Sequence, residues 1–182
     1  ELDDGRRLFF QDARKFGRLW LVADPGPVLA GLGPEPLTAE FPIQELAARL
    51  AGRKAPIKAL LLDQHLLAGV GNIYADEALH LAGIHPARPA GTLTPAALSR
   101  LIEAVRMILG AAIEDGGSSL GDSSVANYLR PNGAPGNYRS AHGVYDRKGQ
   151  PCFRCGTPIE RIVLAQRSAH FCPTCQPLSG VA

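Results

Sequence analysis

The stretch that decides the fold is residues 61–86, which read LLDQHLLAGVGNIYADEALHLAGIHP. Apolar residues with helical spacing lie on both sides of the glycine-rich turn at residues 69–71. The first helix is predicted over Pro56–Ala68. The second begins with Asn72 as its N-cap and runs through Leu81. Two helices joined by a glycine turn are therefore expected at the centre of the chain.

Further helices are predicted on either side of this pair. The apolar spacing of Ile43–Leu50 predicts a short helix. Thr94 as N-cap, with Pro95 at the first helical position, opens the strongest helical pattern, and residues 116–117, both glycine, end it. One face of that helix is predicted to be buried, and its members are Leu98, Leu101, Ile102, Val105, Leu109, Ala112 and Ile113.

The N-terminal residues have a strand-like composition. Arg6–Phe10 and Arg18–Ala23 are short and aromatic, and a polar turn separates them, so we predict two adjacent antiparallel strands. Two strands alone are at best marginally stable, so this pair is expected to belong to a larger sheet. Pro25–Pro42 contains five prolines and three glycines and is predicted to be a linker.

All four cysteines lie in two CxxC pairs near the C-terminus, Cys152 with Cys155 and Cys172 with Cys175, separated by sixteen residues. This pattern predicts one zinc ion held by four thiolates, with iron or a redox dithiol as alternatives. A four-sulfur site has no open coordination position and is structural. The interval has room for a β-hairpin with Arg167 near its tip, as either a phosphate ligand or a solvated side chain.

Composition and charge limit the possible functions. The chain has 182 residues, of which 46% are hydrophobic and 20% charged, which is enough to bury a core. No apolar stretch reaches the length of a membrane span and the first residues do not resemble a signal peptide, so we expect a cytoplasmic protein. Residues 128–182 contain seven Lys or Arg and two Asp or Glu, a balance of +5 that favours a polyanionic partner. The irregular residues 118–140 are expected to be functional or disordered.

Three of these motifs resemble those of a known family. Residues 61–86 resemble the helix-two-turns-helix motif of formamidopyrimidine-DNA glycosylases, and residues 12–17, DARKFG, resemble the family's void-filling loop. The cysteine module with Gln166 and Arg167 resembles its zinc finger. The three motifs stand in the expected order and span nearly the whole chain.

The resemblance implies an α+β fold with remnant strands of an N-terminal β-sandwich, a helical helix-two-turns-helix domain that binds DNA, and a C-terminal four-cysteine zinc β-hairpin. Residues 1–24 would be the end of the sandwich and 25–42 a linker. Residues 43–140 would form the helical domain, with a lesion-capping loop at 118–140, and residues 141–182 the zinc finger.

The implied activity is base-excision repair of duplex DNA by removal of oxidised purines, namely 8-oxoguanine and formamidopyrimidines, with AP lyase activity. Such enzymes rotate the damaged nucleotide out of the helix and must fill the hole that it leaves. By resemblance, Arg14 would hydrogen-bond the widowed base and Phe16 would wedge between base pairs. Lys58 and Asn72 would contact phosphates, and Arg167 would also bind DNA. The loop expected to cap the lesion is Val125, Ala126, Asn127 and Tyr128.

Without the resemblance, these residues have ordinary interpretations. Lys58 would be a surface lysine, Phe16 a core residue and Asn72 a helix cap. The family nucleophile is an N-terminal proline followed by glutamate, and the sequence begins with Glu1 and Leu2 instead, so no catalytic residue is expected in this chain.

Several alternatives remain open from the sequence. One is a paralogue that binds damaged DNA without cutting it. A second is an endonuclease VIII-like glycosylase for oxidised pyrimidines, although the loop with Arg14 and Phe16 favours purines. A third is a zinc-ribbon domain that binds proteins. The expected partner is duplex DNA with oxidised bases or abasic sites, bound by a monomer in the bacterial nucleoid, without a membrane.

Overall fold

The computed structural model describes residues 1–10, 15–39, 41–118 and 136–178. The fold is α+β and divides into two compact units, Glu1–Gly31 and Leu32–Ala182. Its α-helices are α1 (Gly26–Leu29), α2 (Ile43–Leu50), α3 (Ile57–Leu61), α4 (Asn72–Ala82) and α5 (Pro95–Glu114). Two 3-10 helices cover Ala90–Thr92 and Tyr138–Ala141, and the strands are β1 (Glu160–Leu164) and β2 (Arg167–Phe171). Over these residues, no helix is both long enough and apolar enough to cross a membrane.

The first unit does not form the predicted hairpin. Within residues 1–10 and 15–31 the helix α1 is the only regular element, so the prediction of strands at Arg6–Phe10 and Arg18–Ala23 is wrong for the described residues. Their apolar side chains are exposed, with Phe9 at 81% and Leu21 at 102% of full accessibility. Aromatic and β-branched residues favour strands only where a neighbouring strand and a buried face are available.

The core of the second unit lies around α4, which packs against α5, α3 and β2, while α2 packs on α5. Ala75, Ala78 and Leu79 of α4 are completely buried. The predicted face of α5 is confirmed from Leu98 to Ala112, but Ile113 is 65% exposed, so its predicted burial is wrong. Helical periodicity identifies the apolar face but does not indicate how far the packing partners extend along it.

The helix ends test the predicted capping residues. Thr94 accepts a hydrogen bond from the backbone N–H of Ala97 at 3.1 Å, which confirms it as the N-cap of α5. The N-cap of α4 is Gly71 rather than Asn72, which is already helical and makes no capping bond. The helix predicted through Ala68 ends at Leu61, and turns follow it. Successive turns keep leucines at helical spacing, so periodicity alone does not separate them from a helix.

The C-terminal hairpin is confirmed. Strands β1 and β2 are antiparallel, with Leu164 opposite Arg167 and Glu160 opposite Phe171. The two residues between them, Ala165 and Gln166, have φ values of 46° and 62°. Positive φ at both positions is the requirement of the tightest hairpin turns, whose twist matches that of the strands. Arg167 is therefore the first residue after the tip.

Candidate metal centre and nucleic-acid interface

The two CxxC pairs meet at the base of the hairpin. All four sulfur atoms lie within 4.8 Å of one another, and no disulfide joins them. The Sγ atom of Cys155 is 3.4 Å from that of Cys172, and the Sγ atoms of Cys152 and Cys175 are 3.9 Å apart. Sulfurs around a tetrahedral zinc with Zn–S bonds of about 2.3 Å are roughly 3.8 Å apart. The donor set and its spacing therefore fit a closed, structural zinc site.

We call the two CxxC pairs and the hairpin between them the metal module. The residues around the sulfurs attach this module to the end of α4. The Nε2 atom of His80 is 3.5 Å from the Sγ atom of Cys152. Burial lowers the pKa of His80 to about 4, so its ring is neutral near pH 7. The side chain of Gln176 accepts from the N–H of Cys172 and donates to the carbonyl of Ile84. Outer-shell groups of this kind orient metal ligands, and CxxC spacing alone does not identify them.

A cavity of about 360 Å³ opens beside the N-terminus of α4. Among the described residues, its lining comprises Gly69, Gly71, Asn72, Ile73, Tyr74, Gly117, Ser118 and Tyr145. At Gly69 and Gly71, no described atom beyond the adjacent residues of the chain lies within 4 Å of the position that a Cβ would take. The backbone is therefore open to close approach, and the first N–H groups of α4 lack partners within the helix. Such a helix start favours an anion.

Asn72 lines this cavity. Its Oδ1 atom is buried and has no hydrogen-bond partner among the described atoms. A buried acceptor without a partner is costly. A phosphate offers only acceptor oxygens, so the predicted contact would be made by the Nδ2 donor of the same amide and not by Oδ1. The N-cap role predicted for Asn72 from the sequence is wrong, because Gly71 is the N-cap of α4. The phosphate contact implied by the resemblance stays a prediction.

The remaining predicted residues have very different environments. Arg167 is exposed at the start of β2, and Phe16 is 81% exposed in the first unit. Lys58 is only 1% exposed, and its Nζ atom donates to Asp76 Oδ1 at 2.6 Å and to the carbonyl of Ser168. These bonds use two of the three N–H donors of the ammonium group, and its burial leaves little room for a direct contact with a phosphate. Arg14 and residues 125–128 lie outside the described residues.

Two buried carboxylates on α4 were not identified from the sequence. Glu77 accepts hydrogen bonds from the backbone N–H groups of Gly143, Val144 and Tyr145 at 2.7, 3.0 and 2.8 Å. Its neighbour Asp76 is fully buried between Lys58 and the hairpin. The sequence did contain an indication, since acids in the middle of a largely apolar helix need partners when that helix is buried. Which partners they take depends on tertiary packing.

Burial shifts the pKa values of Glu77 and Lys58 in opposite directions. Desolvation raises the pKa of Glu77, despite the three N–H groups that stabilise its charged form. Desolvation also lowers the pKa of Lys58, and the carboxylate of Asp76 opposes that effect. Burial thus disfavours the charged form of both side chains, and their hydrogen-bond and ionic partners oppose that effect.

Comparison with known proteins shows the family of the chain. Residues 32–124, more than half of the chain, match the family model described as the formamidopyrimidine-DNA glycosylase H2TH domain. The chain belongs to the formamidopyrimidine-DNA glycosylase family. Residues 149–178 match the zinc finger found in FPG and IleRS. Together with the geometry of the four sulfurs, this family match supports one structural zinc.

Relatives in this family are similar over nearly the whole chain. The formamidopyrimidine-DNA glycosylase of Chloroflexus aggregans is 57% identical over 180 residues, which cover 98% of this chain and 64% of that protein. The formamidopyrimidine-DNA glycosylase of Deinococcus radiodurans is 50% identical over 183 residues, with 98% and 64% coverage. The chain thus spans slightly less than two thirds of the length of these relatives.

Solved structures of the family have the same fold. The MutM (Fpg) protein of Thermus thermophilus matches with a TM-score of 0.84 and 50% identity, over 95% of this chain and 65% of that one. The Lactococcus lactis Fpg in complex with abasic-site DNA matches with a TM-score of 0.74 and 37% identity, over 84% of this chain and 54% of that one.

Proposed function

We propose that this chain is the damaged-DNA-binding portion of a base-excision-repair glycosylase with AP lyase activity, which removes oxidised purines from duplex DNA. The observation that carries the proposal is the open helix start at Gly71 and Asn72, where no side chain caps the helix, Gly69 and Gly71 leave room for close approach, and the first N–H groups of α4 have no partners within the helix. The names of the family relatives and the abasic-site DNA in the Lactococcus lactis complex support the choice of substrate.

We propose that two parts of the second unit bind the phosphate backbone. The N–H groups at the start of α4 and the amide of Asn72 would hold one phosphate, since the helix start is electropositive and the glycines allow close approach. Arg167 would bind another from the hairpin tip, where its planar guanidinium offers two parallel donors. Lys58 would contribute indirectly. Its bonds to Asp76 and to the carbonyl of Ser168 would hold strand β2 in place, without a direct contact to a phosphate.

Lesion recognition is proposed for the segments named by the resemblance. Arg14 and Phe16 would fill the space left by the everted nucleotide, and the exposure of Phe16 is compatible with that role. Val125, Ala126, Asn127 and Tyr128 would cover the lesion. These assignments favour purines over the oxidised pyrimidines of endonuclease VIII-like enzymes.

The domain division also belongs to the proposal. We take residues 1–24 as the end of an N-terminal sandwich, 25–42 as a linker, 43–140 as the helical domain and 141–182 as the zinc finger. Support comes from the two family matches, at residues 32–124 and 149–178, which separate the helical domain from the zinc finger. We further propose that the protein works as a monomer at the bacterial nucleoid.

Within the proposed activity, the described residues bind and orient DNA. Zinc, when bound by Cys152, Cys155, Cys172 and Cys175, supplies shape rather than reactivity, because four thiolates leave no open position. We assign no catalytic side chain among these residues. Excision and strand cleavage are proposed for the whole protein.

The test combines borohydride trapping with gel-shift titration on three duplexes, carrying 8-oxoguanine, an abasic site or no damage. We expect tighter binding to the damaged duplexes and no covalent adduct. Equal affinity for all three duplexes would refute damage recognition by this chain. An adduct would show that an amine within these residues forms the Schiff base, contrary to our assignment.

A matched control keeps the test specific. Arg100 and Glu103 are both exposed on α5. The double variant R100Q/E103Q has an unchanged net charge and should bind all three duplexes as the unmodified chain does.

A duplex with an oxidised pyrimidine in place of 8-oxoguanine distinguishes the two branches of the family. Tighter binding to that duplex than to the 8-oxoguanine duplex would favour the endonuclease VIII-like alternative.

A further inference from the structure

We propose that Asp76 is a positioning residue for DNA binding, because its buried carboxylate fixes strand β2, with Arg167, and the Tyr145 side of the cavity relative to α4. The inference rests on the proposed function, since Arg167 and the cavity are its two binding elements. It adds a role for a residue that touches neither solvent nor DNA.

Asp76 joins three elements through one carboxylate. Its side chain is completely buried. The Oδ1 atom accepts from Lys58 Nζ of α3 at 2.6 Å. The Oδ2 atom accepts from the backbone N–H of His170 in β2 at 3.0 Å and lies 3.2 Å from the Nδ1 atom of that ring. The helix that begins at the cavity is thereby bonded to the strand that begins with Arg167.

Lys58 adds a second attachment to the same strand. Its ammonium group also donates to the carbonyl oxygen of Ser168, the residue directly after Arg167. Ser168 and His170 are alternate residues of β2, and Ala169 between them is completely buried. The strand is therefore held at two backbone positions, which leaves little freedom to rotate or slide against α4.

His170 extends the network to the cavity. Its ring makes an edge-to-face contact with Tyr145, with centroids 5.1 Å apart. Tyr145 lines the cavity beside Asn72, and its backbone N–H is held by Glu77, the residue after Asp76. Two adjacent carboxylates of α4 thus help to hold Tyr145, Glu77 at its backbone N–H and Asp76 through the ring of His170. The ring of His142 also contacts that of Tyr145, with centroids 5.7 Å apart.

The chemistry of the pair favours a positioning role over a stabilising one. A buried ion pair loses hydration on both partners, and well-packed apolar residues of similar size are often equally stable or more so. What apolar residues cannot supply is directional bonding to the N–H of His170 and the carbonyl of Ser168. Replacing both charged residues by apolar residues of similar size should therefore preserve stability while removing the bonds that orient β2.

The test uses the zinc-loaded chain with K58M/D76L, and R100Q/E103Q as a control of equal net charge. Two measurements are made on each protein. The first is the set of backbone residual dipolar couplings without DNA, which report the orientation of β2 relative to α4. The second is the salt dependence of binding to a duplex with a tetrahydrofuran abasic site.

We expect K58M/D76L to hold one zinc and remain folded, while the couplings of β2 no longer fit the orientation of α4. Its logarithmic salt slope should be shallower by about 0.9, the contribution of one phosphate contact. Unchanged couplings and an unchanged slope in the folded variant would overturn the proposal. If the unmodified chain does not prefer the abasic duplex, the proposed function fails, and the couplings still decide the role of Asp76.

A second variant covers the possibility that K58M/D76L does not fold. His170→Ala keeps the ion pair and both backbone attachments of β2 but removes the ring that contacts Tyr145. We expect an unchanged salt slope and a smaller ratio between the affinities for abasic and undamaged duplexes, with His170→Phe restoring the ratio. If H170A and H170F have the same ratio as the unmodified chain, the connection to the cavity is wrong.

Discussion

The guanidinium group of Arg154 donates a hydrogen bond to the carbonyl oxygen of His80 at 3.0 Å, and its other nitrogen donates to the carbonyl of Leu81 at 3.3 Å. These carbonyls belong to the last turn of α4, where a positive charge is favourable. The carbonyl of His80 also accepts from the backbone N–H of Gly83, so Arg154 adds a second donor there. Arg154 lies between the first two cysteines, so the metal module caps the helix that begins at the cavity.

Removal of one zinc ligand should therefore affect more than the hairpin. We expect Cys155→Ser to lower the zinc content below one ion per chain and to unfold β1 and β2, because the folding of small zinc modules depends on the metal. Amide hydrogen exchange in the last turn of α4 should also accelerate. A chelator should produce the same pattern in the unmodified chain. If zinc is lost while residues 80–82 stay protected, the proposed capping by the metal module is wrong.

Arg167→Ala should weaken binding to damaged and undamaged duplexes by the same factor. A phosphate contact carries no sequence information, and its loss should reduce the logarithmic salt slope by about 0.9. The measurement is a titration at several salt concentrations. Arg100→Ala removes the same charge from an exposed position on α5 and should leave the slope nearly unchanged. Equal effects of the two substitutions would mean that Arg167 acts only through net charge.

Asn72→Ala should separate binding from stability. The Oδ1 atom of Asn72 is buried without a described partner, so its removal relieves an unfavourable burial. We expect a melting temperature equal to or above that of the unmodified chain, together with weaker binding to abasic duplex. Calorimetry and titration of the same sample provide the comparison. A lower melting temperature with unchanged affinity would assign Asn72 to structure alone.

Tyr138 should make stability fall at alkaline pH. Burial raises its pKa to about 12, whereas an unfolded tyrosine titrates near 10. Between these values the folded state binds more protons than the unfolded state, so the free energy of unfolding decreases as pH rises. The loss should reach about 2 to 3 kcal/mol at pH 12, at roughly 1.4 kcal/mol for each pKa unit.

Denaturant titrations of the unmodified chain and Tyr138→Phe between pH 9 and pH 12 isolate this effect, because all other titrating groups are shared. The difference between their free energies of unfolding should shift in favour of the phenylalanine variant as pH increases. A constant difference over this range would show that the phenol ionises equally in the folded and unfolded states.

The parts of the fold that the sequence predicted correctly are those governed by local chemistry. Neighbouring residues are enough to predict three of them, namely the helix Ile43–Leu50, the cap at Thr94 and the hairpin between the cysteine pairs. The N-terminal strands were predicted from residue preference alone, and the described residues form none there. Strand preference is an effect of packing, and it fails where the packing partners are absent.

The candidate site divides in the same way. The four metal ligands could be predicted because each CxxC pair is a single local turn. Lys58 could not, since its position in the sequence does not reveal that Asp76, eighteen residues later, and Ser168, over a hundred residues later, surround its ammonium group. Buried polar networks connect distant residues, so a single sequence identifies their members only when apolar neighbours on both sides imply burial.

The two-residue turn at Ala165 and Gln166 has a consequence for how such hairpins tolerate insertions. Strand β2 is held from its far end, by the cysteine pair and by the bonds at Ser168 and His170. An extra residue at the tip would lengthen the loop and leave Arg167 in place. One inserted between Arg167 and Cys172 would turn Arg167 to the opposite face of the strand, because side chains alternate with a period of two. Length variation among homologues should therefore collect before Arg167, while its distance to the second cysteine pair stays constant.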